Sequence, residues 1–188
     1  MKEKYNKSNL ISSGRSFKRE DFIFFWGHTD RASGVGHSCL SQWYMSQFVV
    51  NDVCYCCAEQ YMMAEKARIF GDETVLHQIM TSDSQMVIKK LGRMVKNFDG
   101  FIWDKYRCEV VKRGNLAKFS QNDKLMDYLL GTGDKILVEA SPKDTIWGIG
   151  LAEHEPEACC PSMWRGENLL GFTLMEVRDE LRGKSGKS

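Results

Sequence analysis

The sequence predicts an α+β fold, mostly helical, with a small antiparallel β-sheet. Three observations point there. Apolar residues recur at helical spacing in several long segments, while β-prone runs are few and short. The 188 residues show no internal repeat and are enough for one domain with a hydrophobic core. Hydrophobic residues at 43% and charged residues at 27% are ordinary for a globular chain.

Residues 1–20 are polar and basic and read as a flexible segment, ahead of one domain over 21–182 and a flexible tail over 183–188. DFIFFWGH (21–28) is aromatic and β-prone, a strand. RASGVGHS (31–38) is a loop by its Gly and Ser content. MSQFVVNDVCY (45–55) gives two short strands around an Asn-Asp turn. A helix follows from Cys57 to Phe70, closed by Gly71, and a shorter one from Asp72 to Met80. Ser82 with Gln85 makes a capping-box pattern before a third helix, whose apolar stripe is Val87, Leu91 and Met94. Longer helical patterns cover Gly100 to Lys118 and Asp123 to Leu130. GTGD (131–134) stops the second of these and leads into the strand KILVEA (135–140). Residues 141–171 are rich in Gly, Pro and Trp with little periodicity. Such long ordered loops are usually functional, an irregular surface insertion being the alternative. The last helix runs from Asn168 to Leu181, with Leu170, Leu174, Val177 and Leu181 on one stripe.

A formal net charge of +1 does not mark a nucleic-acid binder, although a local basic groove can sit on a neutral protein. No apolar run is long enough for a membrane-spanning helix, and the N-terminus lacks the apolar core of a signal peptide. Seven cysteines without a secretion signal imply reduced thiols and a cytoplasmic or nuclear location. Cys54, Cys56, Cys57, Cys159 and Cys160 have C-x-C-C and C-C spacing rather than paired C-x-x-C, so they read as buried thiols and not as a zinc site. The four histidines show neither triad nor metal spacing. No metal and no cofactor are expected.

Within YCCAEQYMMAEKA (55–67), Glu59 and Lys66 stand seven positions apart. Seven residues are almost two turns, so both side chains share one face, about 10 Å apart along the axis. They could clasp a sugar-sized group, or be a solvated pair flanking a core helix. Trp103 and Trp147 could stack a base or be core aromatics. Asp144 could hold ribose hydroxyls or position a water, or be a plain turn carboxylate. Gly148 and Gly150 admit a ligand close to the backbone, as do ordinary turns. Gly166-Glu167-Asn168 precede a helix, where free N–H groups could receive a diphosphate. Arg93 could pair with phosphate or with a surface acid.

Several pieces occur in a fixed order: LSQWY (40–44), AEQYMMAEKARIFGD (58–72), KKLGRMVKNFD (89–99), Trp103, KFSQN (118–122), LLGTGDKILVEASPKDTIWGIG (129–150) and WRGENLLGFTLMEVRDEL (164–181). In combination they resemble the NADAR, or YbiA-like, domain family over about residues 22–182. The WGIGL and W-x-G-x-N-L-L-G forms look more like its stand-alone eukaryotic members. The resemblance implies a metal-independent hydrolase of N-glycosidic bonds to ribose. One class of members removes ADP-ribose from the exocyclic amine of guanine in nucleic acid or nucleotide, a reversal of DNA modification that would pair the enzyme functionally with an ADP-ribosyltransferase. The bacterial class hydrolyses phosphoribosylamine intermediates of riboflavin synthesis. A non-catalytic module that binds ADP-ribose or NAD is a third reading. Under the resemblance Lys66 and Glu59 become the catalytic pair, and Trp103, Asp144, Trp147, Gly148, Arg93, Asn168, Gln42 and Tyr61 the substrate-binding positions. Two departures stand out. Ser41-Gln42-Trp43 occupies the place of the family's S-N-F, and Glu59-Gln60-Tyr61 that of E-H-Y, which removes a titratable group.

Such a bond can break in two ways. A carboxylate can activate water against an oxocarbenium-like carbon. Alternatively the ribose opens to an imine and a neutral lysine displaces the base through a Schiff base. Burial among Met62, Met63 and Ala64 would favour the neutral amine that the second route needs.

Overall fold

The computed structural model describes residues 4–29 and 34–185. In chain order the elements are α1 (Lys7–Ser12), β1 (Phe22–Phe25), β2 (Phe48–Val50), β3 (Val53–Tyr55), α2 (Ala58–Ile69), α3 (Glu73–Met80), α4 (Gln85–Arg93), α5 (Gly100–Ser120), α6 (Asp123–Gly131), β4 (Ile136–Glu139) and α7 (Leu169–Ser185). Short 3-10 turns lie at Arg19–Asp21, His37–Leu40, Pro156–Cys159 and Pro161–Met163. The chain divides into two compact units, residues 42–123 and residues 4–41 with 124–185. The fold is helix-rich α+β, as the sequence predicts.

In the unit of residues 42–123, β2 and β3 form the antiparallel hairpin, with Phe48 opposite Tyr55 and Val50 opposite Val53. Asn51 and Asp52 both have positive φ, 51° and 62°. That is the two-residue turn whose twist matches the strands it joins. Next comes α2, which packs against α3, α4 and α5. Ala58 through Ala64 and Ala67 are all buried. A helix covered on several sides needs no polar face, which accounts for its Met-rich sequence. Two glycines set the close approaches. A Cβ on Gly92 of α4 would lie 1.9 Å from Met63 Sδ, and one on Gly114 of α5 would lie 2.4 Å from the Tyr61 ring.

Expectation and structure part at α4. The N-cap is Ser84, whose side chain accepts from the Val87 N–H, and not Ser82. The buried positions of α4 are Ile88 and Gly92, whereas Val87 and Met94 of the expected stripe are exposed. A nine-residue helix with apolar residues on both faces offers two stripes, and packing against α2 selects the one containing the small Gly92.

In the other unit β1 and β4 pair in parallel, Phe22 beside Ile136 and Phe25 beside Glu139. The sequence predicts an antiparallel sheet alone; this parallel pair joins strands far apart in the chain, for which local pattern gives no signal. Helix α7 lies against β4. Leu170, Leu174, Val177 and Leu181 are all buried, the stripe expected. Gly171 allows the contact, since a Cβ there would fall 2.1 Å from the Leu137 carbonyl oxygen. Within residues 1–20, α1 is a folded helix; Lys7 Nζ donates to the Trp164 carbonyl at 2.7 Å and Tyr5 Oη to Asp179 at 2.7 Å. The loop expected over 31–38 lies partly outside the described residues; of the flexible tail expected over 183–188, residues 183–185 continue α7 and the rest lies outside them.

No disulfide joins any of the seven cysteines, and their burial differs from the expectation. Among the five singled out, Cys57 is buried, Cys56 and Cys159 are half-buried, and Cys54 and Cys160 are exposed. Cys54 follows the strand alternation of β3, which turns it outward between Val53 and Tyr55.

Candidate functional site

Lys66 sits in the last turn of α2 and is half-buried. Its ammonium donates to the Gly92 carbonyl oxygen at 2.8 Å. It lies 4.0 Å from the centre of the Phe98 ring and 5.9 Å from that of Trp103. Burial lowers its pKa below the usual lysine value; the Glu59 charge opposes that shift and Arg93 adds to it. Desolvation thus outweighs the counter-ion, and the neutral amine is favoured relative to a surface lysine. The α2–α4 contact through Gly92 and Met63 brings the Gly92 carbonyl to the amine.

Glu59 occupies the first turn of α2 and is 3% exposed. Its N–H donates to the Gln42 carbonyl oxygen at 2.8 Å. The Gln42 side chain is buried too, and its Oε1 accepts from Asn115 Nδ2 of α5 at 2.7 Å. Asn115 is fully buried and also donates to the Val111 carbonyl. Thus Gln42 is fixed from α5 and in turn fixes the start of the helix that carries Glu59.

Four sequence-predicted residues come together around the amine: Lys66, Glu59, Arg93 and Trp103. Trp103 is 8% exposed and Arg93 is exposed. Tyr61 has other partners. Its ring packs edge-on against Tyr55 and Phe48, and its hydroxyl accepts from Arg113 Nε. Burial pushes its pKa up to about 12. Gln60, in the position of the family's histidine, accepts from the Cys56 N–H at 2.8 Å and donates to the Ile79 carbonyl at 3.1 Å. An amide satisfies both partners at any ordinary pH, which a titrating imidazole would not.

The remaining predicted residues lie in the other unit. Asp144 Oδ1 accepts from the N–H groups of Ile146 and Trp147 at 2.9 and 2.8 Å, an Asx turn that shapes this loop. Gly148 packs so tightly that a Cβ would lie 2.7 Å from the Glu139 carbonyl oxygen. Asn168 is fully buried at φ 55°. Its side chain donates to the Leu137 carbonyl at 2.9 Å and accepts from the Glu139 N–H at 3.0 Å, so the amide ties the loop to β4. Trp147 is half-buried.

Sequence reasoning missed Gly92, Phe98, Asn115 and Lys118. Lys118 has no exposed surface and lies 5.6 Å from the Tyr44 ring centre. A signal existed: Val111, Asn115 and Lys118 recur at helical spacing with Gly114 and Phe119 on the buried stripe of α5, where polar residues are out of place. Phe98 carries no local signal. Among the described residues no group of three or more His, Cys, Asp or Glu is placed to hold a metal ion, and no helix is long and apolar enough to cross a membrane.

The NADAR domain model matches residues 24–182. The protein named N-glycosidase R617 of Acanthamoeba polyphaga mimivirus is 45% identical over 166 residues, 86% of this chain and 96% of that protein. N-glycosidase YbiA of Escherichia coli (strain K12) is 32% identical over 129 residues, 66% of this chain and 69% of that one. The riboflavin biosynthesis protein VVA0006 of Vibrio vulnificus is 32% identical over 174 residues, 93% of this chain but 42% of its own length. The solved NMR structure of the E. coli protein YbiA superposes with a TM-score of 0.72 at 26% identity, covering 89% of this chain and 88% of that one.

Proposed function

Since this chain belongs to the NADAR domain family, we propose that it is an N-glycosidase acting on an N-glycoside of ribose, with ADP-ribose on the exocyclic amine of guanine as its substrate and Lys66 as its nucleophile. The observation that carries the reading is the Lys66 amine, half-buried, depressed in basicity and held between two aromatic rings and the Gly92 carbonyl.

In the proposed reaction the ribose ring opens, its ring oxygen takes a proton, and the C1–N bond becomes an iminium. The neutral Lys66 amine adds to C1 and forms the C1–Nζ bond. A proton then moves from Nζ to the guanine nitrogen, with Glu59 as carrier, and guanine leaves as a neutral amine. Water adds to the resulting lysine iminium, the C1–Nζ bond breaks, and the freed aldehyde recloses to ADP-ribose. One water is consumed and Lys66 is regenerated. Trp103 closes the apolar side of the amine, and Arg93 offers charge to phosphate. Asp144, Trp147, Gly148 and Asn168 belong to the same reading as substrate-binding positions, with Asn168 acting through the backbone it holds.

The assay is hydrolysis of guanosine-linked ADP-ribose by wild type and Lys66→Ala side by side, with chelator present. Release by wild type alone supports the reading; equal release by both rules out the lysine route. Borohydride added during turnover traps a covalent adduct if the imine forms. The Vibrio relative's name favours one second reading, a phosphoribosylamine substrate. Turnover of that compound with none of the ADP-ribosylated guanosine would select it.

A further inference from the structure

Two adjacent thiols stand at the start of α2, at the opposite end of the helix from Lys66. Cys57 is the N-cap and has no exposed surface, whereas Cys56 is half-buried. Their sulfurs lie 3.8 Å apart, within hydrogen-bond range for sulfur. The backbone of Cys56 is held on both sides. Its N–H donates to Gln60 Oε1 at 2.8 Å, and its carbonyl accepts from the Ser46 N–H at 3.0 Å.

This geometry gives the two thiols different roles. A thiolate is favoured beside a thiol donor and at a helix N-terminus, and the less buried sulfur takes the charge. The hydrogen bond from Cys57 brings the Cys56 thiol down to about 7, against burial and the Asp83 charge. The same bond, with burial and the Glu59 charge, pushes Cys57 up. Cys56 is therefore the nucleophilic sulfur near neutral pH, and Cys57 is its protonated neighbour, closed to solvent. Cys54, two residues earlier, is exposed. Exposure alone would make Cys54 the reactive thiol, so the two accounts of this segment are separable.

We propose that Cys56 and Cys57 form a hydroperoxide-reactive modification site that closes into a disulfide across the N-cap of α2. The Cys56 thiolate attacks the peroxide O–O bond. Its sulfur is oxidised to the sulfenic acid, the peroxide is reduced, and water or an alcohol leaves with a solvent proton. The Cys57 thiol then displaces the sulfenic hydroxyl. An S–S bond forms, the S–O bond breaks, and the Cys57 proton leaves with the hydroxyl as water. Adjacent Cα atoms are about 3.8 Å apart, closer than the roughly 4.4–6.8 Å usual across a disulfide. The bridge thus strains the backbone that Gln60 and Ser46 hold, and a dithiol reductant readily returns it to two thiols. Glu59 follows two residues after Cys57. An effect of the bridge on hydrolysis rests on the reading of Glu59 and Lys66; the modification itself does not.

The test reads mass and thiol labelling on the whole protein, without substrate. Limiting iodoacetamide should label Cys56 at least about tenfold faster than the exposed Cys54. Stoichiometric hydrogen peroxide should remove two hydrogens from the wild-type peptide holding residues 54–57, and dithiothreitol should restore them. Cys54→Ser should leave that loss unchanged. Cys57→Ser, which keeps a favoured N-cap type, should stop at a Cys56 sulfenic acid that dimedone traps. Cys56→Ser should form neither product, and thermal melts check that each variant stays folded. Faster labelling of Cys54 than of Cys56 overturns the proposal, and so does a wild-type sulfenic acid that persists with no bridge. A bridge that Cys54→Ser abolishes would assign the partner to Cys54 and likewise overturn it. A bridge without hydrolysis of ADP-ribosylated guanosine leaves this site standing and removes the enzymatic reading. Hydrolysis without a bridge does the reverse.

Discussion

At the scale of single residues the proposed reaction turns on the basicity of Lys66. Lys66→Arg keeps a cation in place but cannot supply a neutral amine near neutral pH. It should lose activity by at least about 100-fold, in step with Lys66→Ala, as measured by single-turnover hydrolysis. The wild-type pH–rate profile should rise with a pKa below the ordinary lysine value of 10.5. The same depression governs stability. A lysine whose folded pKa is lowered carries its charge at a cost at every pH below that pKa. The cost is relieved as pH rises from the folded value towards 10.5. Melting temperatures of wild type and Lys66→Met should therefore move in the wild type's favour over that window. A difference that moves the other way would mean that the Gly92 and Phe98 contacts outweigh desolvation.

At the scale of elements, turn chemistry and close packing make separable predictions. Asp52 adopts φ 62° in the β2–β3 turn, a conformation that favours glycine. Asp52→Gly should stabilise the protein by roughly 0.5–1 kcal/mol, read by denaturant melts. Gly171→Ala should destabilise it by about 2–3 kcal/mol, because the added Cβ meets the Leu137 carbonyl oxygen, a backbone atom, and the Asn168 amide that is bonded to β4. The elements themselves were legible wherever a local rule fixes them: the Asn-Asp turn, Gly71 after α2, and the leucine stripe of α7. The α4 stripe was not, since a short helix with two apolar faces leaves the choice to its neighbours. Of the site, Glu59 and Lys66 could be found from spacing and resemblance. Phe98 and the Gly92 carbonyl could not, because one reaches the amine from an irregular segment and the other belongs to the backbone.

For the whole molecule, the N-terminal segment is the region where sequence and structure differ most. Its composition reads as a flexible leader, and the family match begins only at residue 24. Nevertheless Tyr5 and Lys7 bond to Asp179 and to the Trp164 carbonyl, and Phe17 packs 5.5 Å from Phe22. Polar side chains reaching partners far along the chain leave no periodic trace in sequence. Deleting residues 1–17 should lower stability by about 1–2 kcal/mol in thermal melts, with the proposed Lys66-dependent hydrolysis retained at temperatures well below the transition. The parallel β1–β4 pair has the same character, being set by topology and not by local pattern.

Gly92 joins two of these scales. Its missing side chain lets α4 approach Met63 of α2, and its carbonyl is the acceptor that holds the Lys66 amine. The spacing between two helices therefore sets the surroundings of the proposed nucleophile, much as a shim sets the gap of a relay. Gly92→Ala would widen that gap without touching a reacting atom, and the first sign would be an acidic or alkaline drift of the pH–rate profile before any loss of fold.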